Sequence, residues 1–178
     1  MTDSRGFTLI ELMVTIAVAA ILIAIATPSF QKMIVNNRLS TVANELADNI
    51  SFARSEAIKR NRTITFCQTD SATNTLCAAG NNAWAYWVIV QNAASADEND
   101  VIKRGVINSH NDSIQVTSSL TDNRASFNTD GLARTGSTLL NNAEFIVCAV
   151  SGVSEPIRKI QFGAASRVSI TRQGGACP

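Results

Sequence analysis

The sequence predicts an α+β fold in which one long amino-terminal helix packs on an antiparallel, β-rich head. Three observations carry that expectation. Twenty residues from Leu12 to Gln31 contain no charge. An apolar stripe at helical spacing then runs from Leu39 to Ala57. Beyond Arg62, short runs rich in β-branched and aromatic residues alternate with Asn, Gly, Ser and Asp. The 178 residues are 46% hydrophobic and 16% charged, a balance that excludes a disordered tail protein. A formal net charge of +1 supplies no global field for a polyanion, so any nucleic-acid role would need a local patch. One His and three Met leave little material for a catalytic histidine pair or a soft-metal site. A non-enzymatic protein without a cofactor is expected.

The first element is a polar leader over residues 1–6, Met1-Thr-Asp-Ser-Arg-Gly6, followed by an apolar segment over residues 7–31. Twenty helical residues at about 1.5 Å each span roughly the 30 Å of a hydrocarbon core. Three readings fit this terminus. It can be a secretory signal peptide with Ala24-Ile-Ala26 as the small-x-small cleavage site. It can be a plain single-span anchor. The third reading uses the junction Arg5-Gly6-Phe7-Thr8-Leu9-Ile10-Glu11, where a carboxylate lies at the fifth position after Gly6. A charge inside a bilayer segment costs at least about 2.5–3.5 kcal/mol and marks a function with a partner.

The second element, residues 32–62, is amphipathic. Leu39, Val42, Ala43, Leu46, Ile50, Ala53 and Ala57 form the stripe, and Arg38, Glu45, Asp48, Arg54, Glu56, Lys59 and Arg60 read as its solvated face. Pro28 could end a membrane helix or sit inside a longer one. The continuing periodicity supports one helix from about Phe7 to Arg60, about 80 Å long.

The third element is a head over residues 63–178. Eight strands are expected: Thr63–Cys67, Trp84–Gln91, Val101–Ile107, Ser113–Ser118, Ala125–Asn128, Glu144–Val150, Ile157–Phe162 and Arg167–Thr171. Cys67, Cys77, Cys148 and Cys177 all follow the apolar segment. Four cysteines allow three pairings, and the sequence does not choose among them. Cys67–Cys77 would staple a loop after the first strand, and Cys148–Cys177 would tie the tail to a late strand. Their spacing does not match paired zinc ligands, and two disulfides in an oxidising compartment are expected over reduced thiols.

Gly6-Phe7-Thr8-Leu9-Ile10-Glu11 resembles the class III signal of the type IV pilin and type II secretion pseudopilin superfamily. The resemblance implies cleavage after Gly6 by a membrane peptidase that also methylates the new Phe7 amine. It implies that the apolar segment is kept, and that Glu11 meets the Phe7 amine of a neighbouring subunit. Pro28 resembles the superfamily's helix-interior proline. Ala53-Arg54-Ser55-Glu56-Ala57 and the Phe-x-x-x-Gly segment at Phe127–Gly131 are similar to H-type pseudopilins and FimT/FimU-like minor pilins. The resemblance is close over the first 60 residues and loose over the C-terminal half; Cys77–Asp122 carries none.

These similarities imply a minor subunit at or near the tip of a type IV pilus or a type II secretion pseudopilus, helping to initiate assembly. Its partners would be other pilins through the helix, the peptidase, and membrane lipid before assembly. It would cross the inner membrane once, with its head in the periplasm. The alternative is a DNA-uptake subunit. Some FimT-like proteins use a C-terminal Gly-Arg-x-Arg motif, and here Ala165-Ser166-Arg167-Val168-Ser169 keeps one arginine. Arg158, Lys159, Arg167 and Arg172 against Glu155 are the candidate DNA contacts, and a solvated strand surface is the favoured account of them. Asp97-Glu98-Asn99-Asp100 lacks the ligand order of a calcium loop and reads as a hairpin tip; no metal is expected. His110 has no sequence-near catalytic partner. Trp84, Tyr86 and Trp87 include both strand faces, so one ring is expected in the core and another at a subunit contact.

Overall fold

A computed structural model describes residues 7–78, 83–94, 97–107, 113–150, 153–163 and 167–178. The long helix is present as α1, Leu9–Arg60, about 78 Å at 1.5 Å per residue. Thr8 caps its start in extended conformation, its Oγ1 accepting the Glu11 N–H at 3.3 Å. Asn61 ends it in the left-handed region at φ 51°, with Lys59 and Arg60 in the last turn facing the negative end of the helix dipole. The helix runs unbroken across Pro28.

Ten strands follow: β1 (Ile64–Thr69), β2 (Tyr86–Val90), β3 (Val101–Val106), β4 (Ile114–Ser118), β5 (Arg124–Phe127), β6 (Ala133–Thr135), β7 (Thr138–Leu139), β8 (Ala143–Ala149), β9 (Ile157–Phe162) and β10 (Ser169–Gln173). They make two antiparallel sheets, ordered β3-β2-β1-β5-β6-β7 and β10-β9-β8-β4. The second half of α1 packs on β1 and β5 of the first sheet and on β8, β9 and β10 of the second. All seven stripe residues, Leu39 to Ala57, are buried there. Burying a Leu or Ile side chain contributes about 1.5–3 kcal/mol, so this contact, rather than helix propensity, fixes the lower helix to the head.

Ring contacts cross between the sheets. Phe66 of β1 lies 5.3 Å from Trp84, and Trp84 stands edge-on to Phe145 of β8 at 4.8 Å. Both tryptophans are buried in the core, and of the three rings only Tyr86 is partly exposed. Trp84 precedes β2, and its Nε1 donates to Ser118 Oγ and Asn123 Oδ1. Asn123 in turn donates to Gln68 Oε1 at 2.5 Å. This buried polar group of four joins β1 to β4.

Two strands were not expected from the sequence. β6 and β7 are three and two residues long, too short to show an alternating pattern. They turn on Gly136 at φ 60°, the positive φ that a two-residue hairpin loop requires. The last strand starts at Ser169, so Arg167 lies before it rather than within it. Asp97–Asp100 is a capped 3-10 turn between β2 and β3: Asp97 Oδ1 accepts the Asn99 N–H at 2.9 Å, and Glu98 pairs with Arg104. No metal-holding cluster of His, Cys, Asp and Glu occurs among the described residues.

Candidate functional site

The amino-terminal end of α1 is an apolar rod without a protein partner in the single chain. Phe7 is 83% exposed, and Leu9, Ile10, Leu12, Met13 and the apolar residues onward to Met33 are exposed as well. Two of its threonine hydroxyls are satisfied within the helix: Thr15 Oγ1 donates to Leu12 O at 2.8 Å and Thr27 Oγ1 to Ile23 O at 2.7 Å. That arrangement suits a surrounding that offers no hydrogen bonds. Glu11 is exposed in the first turn, four residues from Phe7, where the helix dipole favours a carboxylate. Gly6 lies outside the described residues.

The two head-proximal motifs meet. The guanidinium of Arg54 lies over the Phe127 ring, 5.7 Å from its centroid, and donates through Nη2 to Gly163 O at 3.2 Å. Gly131 adopts φ +75°, and a Cβ there would stand 2.8 Å from Ile58 Cδ1. The backbone conformation is what favours glycine, since the Ile58 methyl ends an exposed side chain that can turn aside. Glu56, expected on the solvated face, is buried instead, and Arg60 Nε at 2.5 Å and Lys59 Nζ at 3.4 Å pair with its two oxygens. The hydrogen bond from Arg60 holds the Glu56 carboxyl below its ordinary value despite burial. Ala-Arg-Ser-Glu-Ala and Phe-x-x-x-Gly are therefore two halves of one helix-to-sheet joint.

The four basic candidates do not form a common face. Arg158 is 1% exposed, a correction to its reading as a DNA contact. Its β9 position points it beneath α1, where Nη1 donates to Glu155 O and Ile157 O and Nη2 to Asn36 Oδ1. Lys159 faces the other way and pairs with Glu144 Oε2 at 2.9 Å. Arg167 and Arg172 are exposed. Arg172 stands opposite Arg158 in the β9–β10 register. Asn36 escaped the sequence reading because 122 residues separate it from Arg158, and no local pattern marks such a contact. His110 and Ser166 lie outside the described residues.

The head carries two disulfides, Cys67–Cys77 and Cys148–Cys177. The first closes the loop after β1. The second anchors the tail beyond β10, whose five residues are all exposed, to β8 in the core.

Residues 42–174 match the family described as type II transport protein GspH, and residues 1–27 match the prokaryotic N-terminal methylation motif. The type IV major alpha-pilin and fimbrial protein Q of Moraxella bovis are each 49% identical over 47 residues, 26% of this chain. The chain spans 30% of the length of those two relatives. Two crystal structures of the type IV minor pilin FimU of Pseudomonas aeruginosa share the fold. One has a TM-score of 0.57 at 17% identity, covering 76% of this chain and 90% of that one. The other has a TM-score of 0.54 at 16% identity, covering 74% and 91%.

Proposed function

The chain belongs to the type II transport protein GspH family, and on that premise we propose that this minor pilin-like subunit sits at or near a filament tip and helps to initiate its assembly. The filament is a type IV pilus or a type II secretion pseudopilus. The observation that carries the reading is the exposed apolar rod of α1, Phe7 to Met33, beneath a head whose own core is closed. Lipid would cover the rod before assembly and helices of other pilins afterwards. Glu11 would pair with a neighbour's Phe7 amine, a match that stabilises only when both charges are desolvated together. Cleavage after Gly6 and methylation of Phe7 by the prepilin peptidase would create that amine, and Pro28 would let the rod bend as helices pack.

Single-pass insertion in the inner membrane with the head in the periplasm agrees with both disulfides lying beyond the apolar segment. The tail stapled through Cys177 weighs toward the pilus. The DNA-uptake reading has less support: Arg158 is buried and Lys159 is engaged by Glu144, which leaves Arg167 and Arg172. The test is deletion of the gene together with immunogold labelling of the head on sheared filaments. Several-fold fewer filaments and label at one end are expected. Label along the whole length, with filament number unchanged, would refute the tip and initiation roles.

A further inference from the structure

The guanidinium of Arg158 is buried, yet no carboxylate lies within 4 Å of it among the described residues. Its hydrogen bonds go to two backbone carbonyls and a neutral amide, and its Nε is buried with no hydrogen-bond partner among the described residues. Removing a charge from water without an ionised partner costs several kcal/mol. The nearest described charge on the neighbouring strand makes this worse: Arg172 is the direct cross-strand partner, and like charges so placed repel. Burial, and after it the Arg172 charge, push the Arg158 guanidinium below its ordinary value, and the more distant Glu155 carboxylate only partly opposes them.

Above Arg158 there is a cleft of about 220 Å³ between α1 and β10, lined by Ser40, Asn44, Arg158, Ile170 and Arg172. Ser40 and Asn44 are four residues apart on one face of the helix and bring neutral donors to one wall. Arg172 brings an exposed guanidinium to the other. We propose that this cleft binds a soluble tetrahedral oxyanion of the phosphate or phosphate-ester class. A dianion matches the two arginine charges, whereas a single carboxylate would compensate only one. Arg172 would contact the anion directly with Ser40 and Asn44, and Arg158 would hold it through the low-dielectric floor. A bilayer headgroup is a poorer occupant: Ser40 and Asn44 lie about 10 and 16 Å along the helix beyond Met33, past a headgroup layer of about 5–8 Å.

The full chain in neutral detergent, followed by the fluorescence of Trp84 and Trp87 during heating, provides the test. Inorganic phosphate and sulfate at constant ionic strength should raise Tm saturably, and acetate and chloride should not. Arg172→Gln, on an exposed edge strand, should weaken the apparent phosphate affinity at least tenfold. Asn44→Asp, which places a carboxylate in the cleft, should raise Tm in chloride and remove the response to phosphate. A response of equal size to acetate, or one unchanged in both variants, would overturn the site. A response that appears only in nanodiscs containing phosphatidylglycerol and is absent with free phosphate would make the occupant a lipid and overturn the soluble assignment.

Discussion

Arg54 of the helix lies over the ring of Phe127 on the neighbouring strand, 5.7 Å from its centroid, and so joins two segments 73 residues apart in the chain (127 minus 54). The contact does more than a surface cation–π pair, worth about 0.5–1 kcal/mol, would do alone. The same guanidinium caps Gly163 O at the end of β9, so one side chain bridges α1 to both sheets.

Gly131 closes the same joint, and its replacement is the sharpest probe of it. Gly131→Ala places a non-glycine residue at φ +75° and drives Cβ to 2.8 Å from Ile58 Cδ1. The variant should lose about 1–3 kcal/mol, chiefly from the backbone conformation, because the exposed Ile58 side chain can turn away from the new methyl. Adding Ile58→Ala should therefore recover little of the loss. Urea unfolding of both variants checks this, and a wild-type midpoint for Gly131→Ala would remove the case for a glycine requirement.

Glu56 makes the joint sensitive to acid. Its carboxyl is held below the ordinary value of 4.5, chiefly by the hydrogen bond from Arg60. A depressed folded value means that the unfolded chain binds the proton more readily. The contribution of Glu56 is therefore present above about pH 4.5 and is lost as pH falls through the folded value. Glu56→Gln should lower Tm at pH 7 and show a shallower loss of Tm between neutral pH and acid than the parent protein. Parallel Tm curves for the two proteins across that range would contradict the assignment.

The helix and the larger strands were legible because their patterns are local. The stripe from Leu39 to Ala57 has a period that only a helix satisfies, and Ile114-Gln115-Val116-Thr117 alternates apolar with polar. What could not be read depends on distant partners. Glu56 and Arg158 look like solvated charges until α1 is laid on the sheets, because burial is set by the other side of the contact. Asn123, which links Trp84, Ser118 and Gln68, sits in a positive-φ turn at φ 48° with nothing in its neighbourhood to announce a core residue. β6 is held by its pairing with β5, and β7 by its pairing with β6, rather than by their own propensity.

The disulfides should differ in what they protect. In the chain-entropy picture, closing loops with separations of 10 and 29 residues stabilises by about 3 and about 3.5 kcal/mol. Cys148–Cys177 also fastens the tail beyond β10, whose residues bury little of their own surface. Replacing Cys177 with Ser should expose the segment after Gly163 to limited proteolysis while the Cys67–Cys77 loop stays protected. Peptide mapping reads both outcomes, and free thiols in the untreated native protein would contradict the pairing itself.

The unpartnered rod supplies the last prediction. Exposed apolar residues from Phe7 to Met33 need a cover, but Glu11 among them needs a counter-charge as well. In the proposed reading an amine at Phe7 would supply that charge, and only once the chain had been cut behind Gly6. Gly6→Val should therefore leave a precursor six residues longer by intact mass, and normal cleavage of that variant would refute the site of processing. Glu11→Val should be cut normally, because the change lies beyond the bond, and should remain in the membrane, because it makes the rod more apolar. Its incorporation into sheared filaments should fall at least tenfold, since the neighbour's amine would be buried without a partner at a cost of several kcal/mol. Glu11→Asp, which keeps the charge on a shorter stem, should retain part of the activity. Immunoblots of filament and membrane fractions separate these outcomes, and full incorporation of Glu11→Val would show that the rod assembles by apolar contact alone.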